Sequence, residues 1–208
     1  MVGTLRAWDG AETTEKAQRA LERLKETFKV ESLPASLAEL AHSESGINDL
    51  YMNLKRQLEG GKVEQKDKLL IAIGVATAAG SRDAVTFLGA AAREAGVTPQ
   101  QIADAIGVAT VCTLFNSYYK FRHLAQDEAF EAFKAPFNAN SFMKTELSPV
   151  QTELLNIAIS TFNGCDVCVK GHLNKTRALG VSDEQIDETI KVGAIATALA
   201  AACGAMSA

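Results

Sequence analysis

Three observations on the 208-residue chain predict an all-α fold. Alanine supplies 34 residues, aromatic residues only 6%, and four prolines leave long stretches unbroken. Alanine is the strongest helix former and proline the strongest breaker, so long, closely packed helices are expected. With 47% hydrophobic residues the chain has material for one compact domain, or for one duplicated domain. Lys and Arg (21) are outnumbered by Asp and Glu (25) and form no basic run, which disfavours a nucleic-acid partner. The most apolar segment, Val192 to Cys203, falls short of the roughly 18 residues of a membrane span. Met1 to Glu22 lack the apolar block of a signal peptide. A soluble, cytoplasmic protein without a membrane partner is the expectation.

The elements follow in chain order. Residues 1–62 read as a helical extension. Its amphipathic helix runs from about Glu12 to Phe28 with Ala17, Leu21, Leu24 and Phe28 on one face. Shorter helices follow over Ser36–His42 and Ile47–Leu58, before a break at Gly60-Gly61. In residues 63–134, a first repeat, Gly96 suits the left-handed residue that ends a helix, and Thr98-Pro99-Gln100-Gln101 opens the next one. There a hydroxyl and a glutamine cap each other's backbone amides, with proline at the first helical position. Residues 135–147, with Pro136 and two asparagines, read as a connector. The second repeat, residues 148–208, opens on Ser148-Pro149-Val150-Gln151 and uses Gly180 and Ser182-Asp183-Glu184-Gln185 as the first uses Gly96 and its cap.

The duplication rests on an ungapped shift of 84 positions. It lays Leu70, Ile73, Thr77, Gly80, Arg93, Gly96, Val97, Gln101, Ile102, Ile106, Val108 and Thr113 on identical residues. Shared leucines could reflect composition alone, but the glycines and cap positions also align. The same shift exposes a difference. Opposite Leu69, Ser81, Ala84 and Leu88 of the first copy stand Glu153, Cys165, Cys168 and His172 of the second. The scaffold occurs twice and this polar set once.

Asn163-Gly164 is a helix-stop pair, which places Cys165 in the first turn of the next helix. Exposed amides and the positive end of the helix dipole lower a thiol pKa there. Cys168 follows at i+3 and His172 four residues later, on one face, with Lys170 and Lys175 adding positive potential. At about 1.5 Å per residue, Glu153 lies ~15 Å up the preceding helix and His172 ~12 Å up the next. An antiparallel hairpin then sets them opposite each other, Glu153 orienting His172 and His172 drawing the proton of Cys168. A disulfide between the cysteines is geometrically possible, and C-x-x-C at a helix start is what thiol oxidoreductases use. The same four residues could also serve zinc, but the second C-x-x-C or histidine pair of structural zinc sites is absent. Neither metal nor cofactor is therefore expected. His42 and His123 read as ordinary histidines, Cys112 and Cys203 as inert buried thiols, and Tyr118-Tyr119 as packing.

Glu153, eleven residues, then Cys165-Asp166-Val167-Cys168-Val169-Lys170-Gly171-His172 resembles the signature of the alkylhydroperoxidase D group of the carboxymuconolactone decarboxylase superfamily. Asn116-Ser117-Tyr118-Tyr119-Lys120-Phe121-Arg122-His123 is similar to the stretch after the first repeat of full-length members. The resemblance covers roughly Glu64 to Ala202. It implies an all-helical fold of two related halves, a trimer that mimics a hexamer of single-repeat relatives, and a peroxidase using neither haem nor flavin. By position it makes Cys168 the peroxide-attacking thiol, Cys165 the resolving thiol, and His172 with Glu153 the proton relay. It further implies an organic hydroperoxide substrate and a dithiol reductant, such as a lipoylated protein, with a peroxiredoxin as a further partner. The best-known members place a histidine where this chain has Val167. Two rivals stay open: decarboxylation of a muconolactone-like substrate, against which the paired cysteines argue, and a non-catalytic, redox-sensing helical oligomer.

Overall fold

The structure, a computed structural model, describes residues 11–205. The first ten residues of the expected extension, including part of the segment read for a signal peptide, and residues 206–208 lie outside the described residues. Among the described residues there are ten α-helices, one 3-10 turn and no strand.

Three helices make the extension: α1 (Glu15–Phe28), α2 (Ala35–Leu40) and α3 (Glu44–Leu58). Helix α1 begins three residues later than the sequence suggests because Thr14 is its cap, its hydroxyl accepting the Ala17 amide at 3.2 Å. Helix α3 begins three residues earlier than expected, because Ser43 caps it through the Gly46 amide. Helix α2 ends before Ala41, two residues short of the expected His42.

The duplication is visible in the helix boundaries. The first copy holds α4 (Gln65–Ala78), α5 (Arg82–Glu94) and α6 (Pro99–Ala125). After α7 (Glu128–Glu131) and the 3-10 turn Asn140–Phe142, the second holds α8 (Pro149–Phe162), α9 (Asp166–Ala178) and α10 (Asp183–Ala205). Adding 84 to both ends of α4 and α5, and to the start of α6, gives the second triplet. Gly80 and Gly164 end α4 and α8 with φ of 73° and 66°, a left-handed conformation that costs glycine least. Thr98 and Ser182, 84 apart, form the same reciprocal cap with Gln101 and Gln185.

Helices α4 and α8 are the central pair, each buried over two turns or more and packed on α6 and α10. Gly74 lets them approach, since a Cβ there would run into Leu155. Equivalent residues meet across this crossing: Gln151 Nε2 donates to Asp67 Oδ1 at 2.6 Å. Contact between like positions is what a two-fold relation produces. Reciprocal anchors agree. Glu188 on α10 accepts the Lys62 and Val63 amides ahead of α4, and Asp104 on α6 accepts the Glu146 amide ahead of α8. The extension lies over the first copy's α5, through Phe28 against Phe87 at 5.6 Å, and over α10. Among the described residues no helix is long and apolar enough to cross a membrane.

Candidate active site

Helix α8 stops at Asn163, Gly164 reverses the chain at φ 66°, and Cys165 follows in an extended conformation as the N-cap of α9. Cys165 is thus one position ahead of the helix rather than in its first turn. In the first copy the N-cap is Ser81, whose Oγ accepts the Ala84 amide at 3.4 Å. Cys165 makes no such bond. Its sulfur is joined in a disulfide to Cys168, the residue equivalent to Ala84, with Cα atoms 5.3 Å apart. Cys165 is buried, whereas Cys168 is half-buried and borders a cavity.

Glu153 and His172 face each other across the α8–α9 hairpin, Nδ1 to Oε2 at 2.7 Å, each side chain about 15% exposed. With Nδ1 engaged, Nε2 is the ring nitrogen left for proton transfer. Lys175 Nζ stands 4.0 Å from the other Glu153 oxygen, and Lys170 pairs with Asp166 at 3.4 Å. In the first copy the counterparts of this acid–imidazole pair, Leu69 and Leu88, are buried apolar residues. An apolar pair thus serves the fold in that place, so packing alone does not call for the charged one.

The cavity encloses about 290 Å³ between α6, α9 and the Asn140–Phe142 turn. Cys168, Val167 and His172 line it from α9; Phe115, Asn116 and Tyr119 line it from α6, and Phe142 closes it. The α6 and turn residues are those that sequence reasoning missed. Tyr118 packs as expected, edge to face on Phe137 at 5.3 Å with Arg122 over its ring, but its neighbour Tyr119 is a cavity wall. Glu153 borders a second, larger hollow of about 720 Å³, which shares Phe142 and Lys175 with the first.

A polar seam ties the cysteine-bearing turn to α6. Asn163 Nδ2 donates to Thr113 Oγ1 and Asn116 Oδ1 (3.3 and 2.9 Å), and Lys120 Nζ donates to the Asn163 carbonyl (2.9 Å). Asn116 Nδ2 donates to Ser160 Oγ at 3.0 Å, and the Cys112 thiol points at Asn116 Oδ1 from 3.5 Å. Burial pushes the Cys112 thiol up to about 11, more than Ser160 and Asn116 lower it, so Cys112 stays protonated near neutrality. Burial also raises Cys203. His42 stands by Thr13 and His123 by Asp166, and neither borders the cavity. Among the described residues no group of three or more His, Cys, Asp or Glu side chains is arranged to hold a metal ion.

The carboxymuconolactone decarboxylase family model matches residues 45–127 and again 127–208. The chain is similar to the alkyl hydroperoxide reductase AhpD of Anaeromyxobacter sp. (strain K), 32% identical over 152 residues, 73% of this chain and 81% of that protein. It is 33% identical over 139 residues to the AhpD of Methylobacterium sp. (strain 4-46), 67% of this chain and 77% of that one. To the AhpD of Mycobacteroides abscessus it is 30% identical over 176 residues, 84% of this chain and 95% of the relative.

Proposed function

The chain belongs to the carboxymuconolactone decarboxylase family, and from that premise we propose that it is a thiol-dependent hydroperoxide reductase. The observation that carries the reading is the meeting of a C-x-x-C disulfide with a Glu153–His172 pair at one cavity, in one copy of a duplicated scaffold. The names of the relatives, alkyl hydroperoxide reductases, support the same class of substrate.

In the reduced enzyme His172, held by Glu153, takes the Cys168 proton, and the thiolate attacks the terminal oxygen of a hydroperoxide ROOH. A sulfur–oxygen bond forms and the O–O bond breaks. The sulfur loses two electrons to the peroxide, and RO⁻ leaves as ROH with the proton from His172. The Cys165 thiol then attacks the sulfenic sulfur, forming the disulfide and releasing water. An external dithiol, such as the lipoyl group of a carrier protein, restores both thiols by exchange, and a peroxiredoxin is a further redox partner. Cys168 is the attacking sulfur because it reaches the cavity and Cys165 does not. Decarboxylation would leave two vicinal thiols without a use. We assign the enzyme to the cytoplasm as a homotrimer, which light scattering tests directly.

The functional test is consumption of cumene hydroperoxide with dihydrolipoamide as reductant. Cys168→Ser should abolish turnover, and His172→Gln should lower it about 100-fold, within the range for a positioned acid–base group. Wild-type turnover in Cys168→Ser would refute the assignment. A single stoichiometric oxidation followed by arrest would instead favour a sensor.

A further inference from the structure

Four polar residues, Asn116, Asn156, Ser160 and Asn163, line the seam where α6 meets α8. Their counterparts where α10 meets α4 are Ala200, Ala72, Ala76 and Ala79. The same scaffold closes the equivalent crossing with four alanines, so packing does not require the amides.

Asn116 is 1% exposed and borders the cavity with Cys168 and His172. A primary amide offers two N–H donors and an oxygen with two lone pairs. Its oxygen accepts from Asn163 and from the Cys112 thiol, and one hydrogen goes to Ser160. Asn163 Nδ2 meets the Asn116 oxygen at 2.9 Å, which leaves the Asn116 Nδ2 on the Ser160 side. The second Asn116 hydrogen has no acceptor among the described residues. A buried donor left unpaired is costly. Here it is kept, beside the reacting sulfur, at a position where the other copy has alanine.

We propose that Asn116 donates this hydrogen to the oxygen of a hydroperoxide bound against Cys168, making it a substrate-binding residue of the oxidative half-reaction. The inference rests on the peroxidase reading above. As Cys168 attacks the terminal oxygen, the O–O bond breaks and negative charge gathers on the alkoxide oxygen. The amide hydrogen stabilises that charge while His172 supplies the proton that completes the alcohol. Reduction of the disulfide by a dithiol develops no alkoxide and has no need of the donor.

The two half-reactions therefore separate this role from a structural one. Pre-reduced protein is mixed with excess cumene hydroperoxide, quenched, and its remaining thiols counted; disulfide protein is separately reduced with dihydrolipoamide. Asn116→Ala should slow the oxidation about 100-fold, the lower end of the range for losing one transition-state donor, and leave the reduction within about threefold. Equal slowing of both steps would mean that Asn116 only holds the turn, and an unchanged oxidation rate would remove the donor while leaving the peroxidase reading intact. If the alanine variant does not fold, Asn116→Leu, which keeps the volume and removes the donor, must show the same split. Should wild-type protein oxidise no faster than Cys168→Ser, the peroxidase reading falls and this assignment with it.

Discussion

Glu188→Gln should destabilise the fold far more than its place at the molecular edge suggests. Lys68 on α4 is 1% exposed, and its ammonium is paired with Glu188 and donates to the Gly60 carbonyl at 2.5 Å. Glu188, about one-sixth exposed, also accepts the Lys62 and Val63 amides at 2.8 and 3.1 Å. One carboxylate on α10 thus holds both a buried charge and the chain entering the first repeat. Removing one partner of a buried pair costs about 3–5 kcal/mol. The partial exposure of Glu188 lowers this to about 2–4 kcal/mol. At roughly 2–4 °C per kcal/mol for a chain of this size, melting should fall by about 5–15 °C at pH 7. The pH dependence has a definite sign. Burial pushes the Glu188 carboxyl up, but the Lys68 ammonium and the two backbone amides outweigh it and hold the group below its ordinary value. Its contribution is therefore present above the unfolded pKa of about 4.3 and is lost as pH falls through the folded value. Calorimetric melts of wild type and Glu188→Gln should draw together only as pH falls through the lowered folded value, where the native carboxyl becomes neutral as well. Adding Lys68→Met should recover at least half of the loss, because it removes the stranded charge. A drop of less than 2 °C at pH 7, or a gap that widens on acidification, would refute the argument; both limits lie outside the ranges worked above.

Two further outcomes concern the thiols. Cys165→Ser places at the α9 N-cap the hydroxyl that Ser81 uses to cap α5. It should melt above Cys165→Ala by the equivalent of about 1 kcal/mol, both variants lacking the disulfide; equal melting temperatures would show that the turn does not let the two caps behave alike. Mild alkylation of the reduced native protein at pH 8, followed by peptide mass spectrometry, should modify Cys168 first and leave Cys112 and Cys203 untouched until denaturant is added. Burial of those two thiols and their raised pKa values give that order, and early labelling of Cys112 would contradict it.

The duplicated fold was readable because its punctuation is chemically specific. Gly80 and Gly164, Gly96 and Gly180, and the Thr98 and Ser182 caps recur at one offset, and each is demanded by backbone geometry rather than by composition. The starts of α1 and α3 were misjudged where Thr14 and Ser43, single hydroxyls without the reciprocal glutamine, set the boundary. The facing of Glu153 and His172 followed from counting residues along two arms of a hairpin. The other wall of the cavity had no such local logic: Phe115, Tyr119 and Phe142 are brought beside Cys168 by packing across about 26 to 53 residues of chain. Aromatic side chains on a helix look like core until a neighbour leaves space beside them.

Comparing the copies separates what the fold needs from what the site needs. Leu69, Leu88, Ser81 and Ala84 hold the first hairpin together with an apolar contact and one cap, and four alanines close its seam with the other copy. The site gives up each of these arrangements: in the second copy a charged pair replaces the leucines and a disulfide replaces the cap, and at the seam of α6 with α8 three asparagines and a serine stand where the other seam has alanines. Every exchange puts a polar or reactive group where an apolar or simpler one suffices, and Cys168, His172 and Asn116, one from each exchange, border a single cavity. Substitution toward the residue at the equivalent position of the other copy is thus the natural way to remove chemistry while keeping the scaffold. Asn116 belongs to that set by the same test as His172, since its counterpart is Ala200 as that of His172 is Leu88.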